Sequence, residues 1–341
     1  MSLTGLLNLG ERNHHVAVVT DFELPASALS AIREAIGGAP THLHFVSVAE
    51  SADELIGRLV ADGIVPERDY VSLLAVISRH QSFDVLRNAQ VGLPRGDLAR
   101  LELPSLEMGF SPGHAVAMLN VVLASDFRQQ ERASAFFYEL LGLCQPYSVV
   151  VETRNGVMNI SGRRPWFQLA GRLAQGESRI LPGGEVAYTG SDVSGTFTVD
   201  GGLLATPERP SVAPLAVALT ALSRRFADDP VDFYVENGQV LDLRSRGALA
   251  GDLSSLLNAP AYRRLTEVGV SFNSACTALI HDWPASANEG FPGVHIAVGG
   301  DPDPDEDDAL QPAVHLDLIA ATAAVHVNSR AFLRRDGFFR I

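Results

Sequence analysis

The chain has 341 residues, 46% hydrophobic and 19% charged, a globular composition with length for about two domains. Its formal net charge of −14 repels phosphate backbones and anionic lipid, so neither nucleic acid nor a membrane is expected as a partner. All 26 basic residues are Arg, which removes lysine Schiff-base and lysine-nucleophile chemistry, and two lone cysteines, Cys144 and Cys276, exclude a disulfide framework and a cysteine-based zinc site.

Residues 1–9 are mildly apolar, lack a basic start and run into Glu11 and Arg12, so they do not read as a signal peptide. The apolar stretches 115–124 and 212–222 are too short to span a bilayer, and the expectation is a soluble cytoplasmic protein. Strand signals at 16–20, 42–48 and 70–77 alternate with helical spacing at 26–36 and 52–60. The apolar run 116–123 reads as one more buried strand. Strands separated by helices predict an α/β domain with a mostly parallel sheet. The turn after the first strand, Asp21-Phe22-Glu23-Leu24-Pro25, has no glycine to admit a pyrophosphate, so a dinucleotide fingerprint is absent.

Residues 128–143 predict a long helix, and the domain boundary is placed within it: 1–135 as the α/β domain, 136–341 as an α+β metal-binding domain. Beyond it come short strands at 147–152, 157–161, 186–189, 195–199, 233–236, 240–243, 294–298, 323–327 and 338–341, with a helix at 215–226. Asn155-Gly156 and Asn237-Gly238 are hairpin signals. The acidic run 301–308 is interrupted by Pro and lacks EF-hand spacing, which predicts a solvated loop.

Candidate chemistry concentrates in the second domain. His315 and Asp317 lie two apart in an extended segment and project to one side, as two ligands of one metal must. His295 opens an apolar strand, where a core histidine bonded to a carbonyl is the plain alternative. Glu267 sits among apolar residues and needs a partner if buried, which an arginine or a metal could supply. Glu185 follows the Pro182-Gly183-Gly184 turn at the mouth of a strand. Three carboxylates and two imidazoles suit Zn²⁺, Mn²⁺, Co²⁺ or Fe²⁺, in number enough for one ion or two. Elsewhere, His42 and His44 share one strand face without a third ligand nearby in sequence, and His14 and His15 point to opposite faces.

The wording of these segments resembles the aminopeptidase T family of metallopeptidases. The resemblance runs through residues 181–189 (LPGGEVAYT), Ser194-Gly195-Thr196, Val199-Asp200-Gly201, the Glu236-Asn237-Gly238 hairpin, 265–270, 294–299, 315–317 and the closing stretch 325–341 with its Asp336-Gly337 turn. It implies an aminopeptidase T-like fold and Glu185, Glu267, His295, His315 and Asp317 as ligands of one or two divalent metals (Zn, Mn or Co). Either Glu185 or Glu267 would serve as general base. It also implies a hydrolase acting on the N-terminus of a peptide, and a homodimer. A branch of the same fold contains 2,5-dihydroxypyridine dioxygenases with mononuclear Fe²⁺. Their site resembles two histidines and one carboxylate, with a His at the position of Glu267, so an Fe(II) ring-cleaving dioxygenase acting on a small molecule is the alternative. The family's peptidases also place a Tyr just after the segment matching 294–299. Here that stretch is Gly300-Asp301-Pro302-Asp303-Pro304, which motivates a third reading, a non-catalytic peptide-binding protein.

Overall fold

β-Branched runs bounded by amphipathic helices fold here as that pattern requires, into strands covered by helices. A computed structural model describes residues 6–7, 14–36, 41–77, 80–102, 112–174, 176–207, 210–282, 285–300 and 314–334. The chain forms two compact units, residues 1–131 with 171–183, and residues 132–170 with 184–341.

In the first unit, strands β1 (His14–Thr20), β2 (Thr41–Ser47), β3 (Tyr70–Ile77) and β4 (Gly96–Glu102) form a parallel sheet in the order β2-β1-β3-β4. The connecting helices are α1 (Ala26–Ile36), α2 (Ala52–Ala61) and α3 (His80–Val91). Val16, Ala17, Val18 and Val19 are all fully buried, as expected of a parallel strand covered on both faces. Ser51 caps α2, its hydroxyl accepting the Glu54 N–H at 3.2 Å. That helix packs Leu55 and Leu59 into one cluster with Val71, Leu73, Leu86 and Ala89.

The apolar run expected as a strand at 116–123 lies instead in helix α4 (Pro112–Ala124). A continuous apolar run carries no period, so length and burial decide. The buried residues Met118, Leu119 and Val122 fall at helical spacing.

The next helix, α5 (Phe127–Gly142), is followed by β5 (Tyr147–Glu152), β6 (Val157–Gly162) and β7 (Phe167–Leu169). Strand β8 (Ser178–Ile180) joins the first sheet beside β4. The remaining strands are β9 (Glu185–Tyr188), β10 (Val193–Val199), β11 (Gly202–Pro207), β12 (Val231–Glu236), β13 (Gln239–Arg244), β14 (Leu265–Ser271), β15 (Gly293–Val298), β16 (Val314–Ala320), β17 (Ala324–Val327) and β18 (Arg330–Leu333). Helices α6 (Ala213–Thr220) and α7 (Leu249–Leu256) complete the set. The helix expected over 215–226 thus ends at Thr220 and gives way to a 3₁₀ turn, Ser223–Ala227, with Phe226 buried.

The second unit holds two antiparallel sheets, one in the order β13-β12-β10-β6-β5-β17-β18 and one in the order β11-β16-β15-β14-β9-β7. Asn237 and Gly238 both take positive φ, 50° and 73°, which is what a two-residue hairpin turn between β12 and β13 demands. Phe137 of α5 is fully buried, edge-on to Trp166 at 4.8 Å and to Phe332 of β18 at 5.0 Å. The acidic run 301–308, the Asp336-Gly337 turn and the strand expected at 338–341 lie outside the described residues. Among the described residues no helix is long and apolar enough to cross a membrane.

Candidate metal centre

The alternation of side chains along a strand puts every second residue on one face. In the six-stranded sheet, Ser271 pairs with Glu185, Gly269 with both Ala187 and His295, Glu267 with Ala297, and Ala297 with Asp317. Paired residues of antiparallel strands share a face. Glu185 on β9, Glu267 on β14, His295 on β15 and both His315 and Asp317 on β16 therefore project from one face of four neighbouring strands. Small residues between them, Ala187, Gly269, Gly293 and Ala297, make the floor. The glycine at 269 is required by space, since a Cβ there would lie 2.0 Å from His295 Cε1 and 2.2 Å from its Nε2.

His295 Nε2 stands 3.6 Å from Glu185 Oε2 and 3.8 Å from Glu267 Oε1. Both separations are too long for hydrogen bonds, and Glu267 Oε1 and His295 Nε2 are buried without a partner. One ligand atom from each of Glu185, Glu267, Glu289 and His295 falls within 4.8 Å of the others. His315 and Asp317 lie beside this group and pair with each other, Nε2 to Oδ1 at 3.0 Å.

The electrostatics are those of crowded acids in a dry place. Burial pushes Glu185 well above the ordinary carboxylate range, and the charges of Glu289, Glu267 and Asp317 add to it. Burial, with Asp317 and Glu267, raises Glu289 to about 7. Burial works downward on His315, but Asp317, Glu267 and Glu289 outweigh it and lift it to about 10. His295 is raised in the same way, burial being outweighed by Glu267, Asp317 and Glu289. For Asp317 burial works upward, yet His315 and His295 hold it below its usual value. Four carboxylates thus outnumber two imidazoles, and a divalent cation is the counter-charge such a set lacks. The residues fit a metal on three counts: two orphaned ligand atoms, converging oxygen and nitrogen donors, and a floor glycine that makes room for an imidazole.

Sequence reasoning missed Glu289. It lies in the turn before β15, a place where a glutamate ordinarily reads as solvated. Asn288 builds the turn, its side-chain amide donating to the Ile280 carbonyl at 2.8 Å and its oxygen accepting the Ile280 N–H at 2.7 Å. Ser271 then donates its hydroxyl to the Glu289 carbonyl. No periodicity announces such a residue. The one signal in the sequence is a carboxylate just ahead of the Gly290-Phe291-Pro292-Gly293 stop that opens the His295 strand.

Fold and site together define a mixed α/β protein of several sheets, with a buried group of glutamates and histidine able to hold a metal ion. No family model matches the chain, and no curated protein matches it. Solved structures share its fold. The structure of 2,5-dihydroxypyridine dioxygenase from Pseudomonas putida KT2440 matches with a TM-score of 0.56 at 14% identity, over 96% of this chain and 91% of that one. Wild-type AmpT from Thermus thermophilus matches with a TM-score of 0.55 at 16% identity, over 99% of this chain and 96% of that one. At such identities the likeness is one of fold.

Proposed function

We propose that the chain is a metal-dependent hydrolase of aminopeptidase type, acting on the N-terminus of a peptide. The observation that carries this reading is the carboxylate-rich donor set, Glu185, Glu267 and Glu289 converging with His295. Glu185, Glu289 and His295 would hold one ion with Glu267 beside it, and His315 with Asp317 are proposed as ligands of a second. Bound there, a divalent metal supplies Lewis acidity toward a carbonyl and lowers the pKa of water toward neutrality.

The chain's own residues have the following roles in this reading. Glu267 is the general base, accepting a proton from the attacking water at Oε1, an atom without a partner in the protein, and returning it to the departing amine. Glu185 and His295, 2% and 1% exposed, exclude solvent and fix the donor geometry from below. Gly269 lets the imidazole of His295 sit where it does.

A second reading assigns His295, His315 and Asp317 as a two-histidine, one-carboxylate set for Fe²⁺ in a ring-cleaving dioxygenase. Supporting it are the position of these three on adjacent strands and the shared fold with a dioxygenase.

The test is to reconstitute the purified chain separately with Zn²⁺, Mn²⁺, Co²⁺ and Fe²⁺. A mixed peptide pool is then followed by mass spectrometry, and oxygen uptake is followed with a dihydroxylated aromatic ring. Loss of single N-terminal residues, abolished in Glu267→Gln, supports the hydrolase. Oxygen uptake with Fe²⁺ and intact peptides overturns it in favour of the dioxygenase. Peptide retained but uncut with every metal leaves a binding protein.

A further inference from the structure

We propose that the first unit carries a second, separate site for a transition-metal dication of the Zn²⁺ or Ni²⁺ class, held by His15 near the start of β1 and His44 in the middle of β2. In sequence His42 and His44 lack a third ligand. The parallel register brings in His15, because His15 pairs with His42 and Ala17 with His44, which puts all three imidazoles on one face of the sheet and sets His15, not His42, opposite His44. His15 Nδ1 and His44 Nε2 face each other at 2.9 Å. His42, exposed, stacks on His15 with ring centroids 4.8 Å apart.

The carboxylates around the pair make it more than a hydrogen bond. Asp69 is fully buried, accepting the Arg68 Nε–H and the Val65 N–H, both at 2.8 Å. Its Oδ2 lies 3.4 Å from His15 Nε2, so it draws the His15 proton to Nε2 and leaves a lone pair on Nδ1. On the other side, Asp62 Oδ2 stands 3.9 Å from His44 Nδ1. A neutral His44 has one proton to place. On Nε2 it bridges to His15. On Nδ1 it faces Asp62, and two nitrogen lone pairs then converge across a gap that a cation fills. Histidine ligands of metals are oriented in this way, the inner nitrogen on the metal and the outer N–H toward a carboxylate.

The spacing also suits. Two nitrogens each about 2.0–2.1 Å from a tetrahedral Zn²⁺ stand roughly 3.3 Å apart, a small opening from the observed 2.9 Å. Imidazole donors select the borderline transition metals over Ca²⁺ and Mg²⁺. Exposed His42 marks the solvent side, through which the ion would reach the pair and keep open positions for water or an anion. This inference is independent of the proposed hydrolase, since none of its residues belongs to the other centre.

Crystals of the 341-residue chain, soaked in zinc chloride and measured for anomalous scattering at the zinc edge, test it without any substitution. The expected result is a peak between His15 Nδ1 and His44 Nε2, distinct from any peak at the Glu185–His295 centre. Zinc titration in solution should lose one ion per chain in His44→Ala and in His44→Gln, and retain that ion in His295→Ala. Anomalous density confined to the Glu185–His295 centre, or equal stoichiometry in wild type and His44→Gln, overturns the proposal and leaves His15–His44 as a structural hydrogen bond.

Discussion

Gly269 and His295 face each other across β14 and β15, and the imidazole occupies the space a side chain at 269 would need, a Cβ there falling 2.0 Å from Cε1. The neighbour that would have to yield is a ring 1% exposed, which has nowhere to go without leaving the glutamates. Gly269→Ala is therefore expected to fold, to swing His295 out of the donor set, and to weaken metal affinity about tenfold to a hundredfold. Metal titration alongside circular dichroism checks both halves. Unaltered affinity would mean that His295 is not a ligand.

That pairing illustrates what the sequence discloses and what it hides. The parallel sheet of the first unit is readable because its strands are β-branched runs between helical periods, and 26–36 and 70–77 match α1 and β3 residue for residue. The segment 116–123 misleads because an unbroken apolar run has no period to separate strand from buried helix. His315 and Asp317 are legible as a same-side pair by the two-residue repeat alone. That Glu185 and Glu267 meet His295 follows from strand order β15-β14-β9, which no local pattern encodes. Glu289 is illegible because a turn residue's burial is decided by the distant Ser271 and Ile280 that hold the turn.

Glu289 carries a prediction with two opposite arms. Its carboxyl is raised to about 7 by burial, Asp317 and Glu267, so without metal its charge is a liability. Glu289→Gln removes that charge at nearly constant volume. It should stabilise the metal-free protein by about 1 kcal/mol at pH 8, and lower metal affinity by about tenfold or more. Thermal unfolding of the metal-stripped variant and metal titration separate the two. A variant destabilised in both states would instead assign Glu289 a purely structural role.

The aromatic cluster under α5 supplies a stability test away from the centre. Phe137 touches Trp166 and Phe332 edge-on and is fully buried. Truncation to Ala leaves a cavity among rigid rings that cannot collapse into it, at a cost of about 3–5 kcal/mol. Phe137→Leu keeps part of the volume and should cost roughly 1–3 kcal/mol. Denaturant unfolding followed by tryptophan fluorescence reads both, with the midpoint moving and the slope unchanged. Equal losses for the two variants would show that volume is not what the cluster needs.

Two buried groups in the first unit, His14 and Asp97, are shifted in opposite directions. His14 and Ser72 Oγ share a hydrogen bond of 2.8 Å, and Asp97 of β4 pairs in register with Ser72 of β3. Burial, with the nearby His15, lowers His14 to about 4, while burial raises Asp97 to about 7. Each is therefore neutral in the folded chain across a window where its unfolded counterpart is charged. Between pH 4 and 6.5 the unfolded state binds the His14 proton that the folded state refuses, so this group makes stability rise with pH. Between pH 4 and 7 the folded state keeps the Asp97 proton that the unfolded state has lost, so this group makes stability fall with pH. The two contributions oppose, each on the order of 3 kcal/mol across its window. Substituting one should expose the other. Asp97→Asn, compared with wild type, should gain stability progressively from pH 4 to 7, and His14→Gln should lose it progressively from pH 4 to 6.5. Urea unfolding at half-unit pH intervals measures both differences. Parallel profiles for wild type and both variants would show that neither group is held neutral in the folded protein.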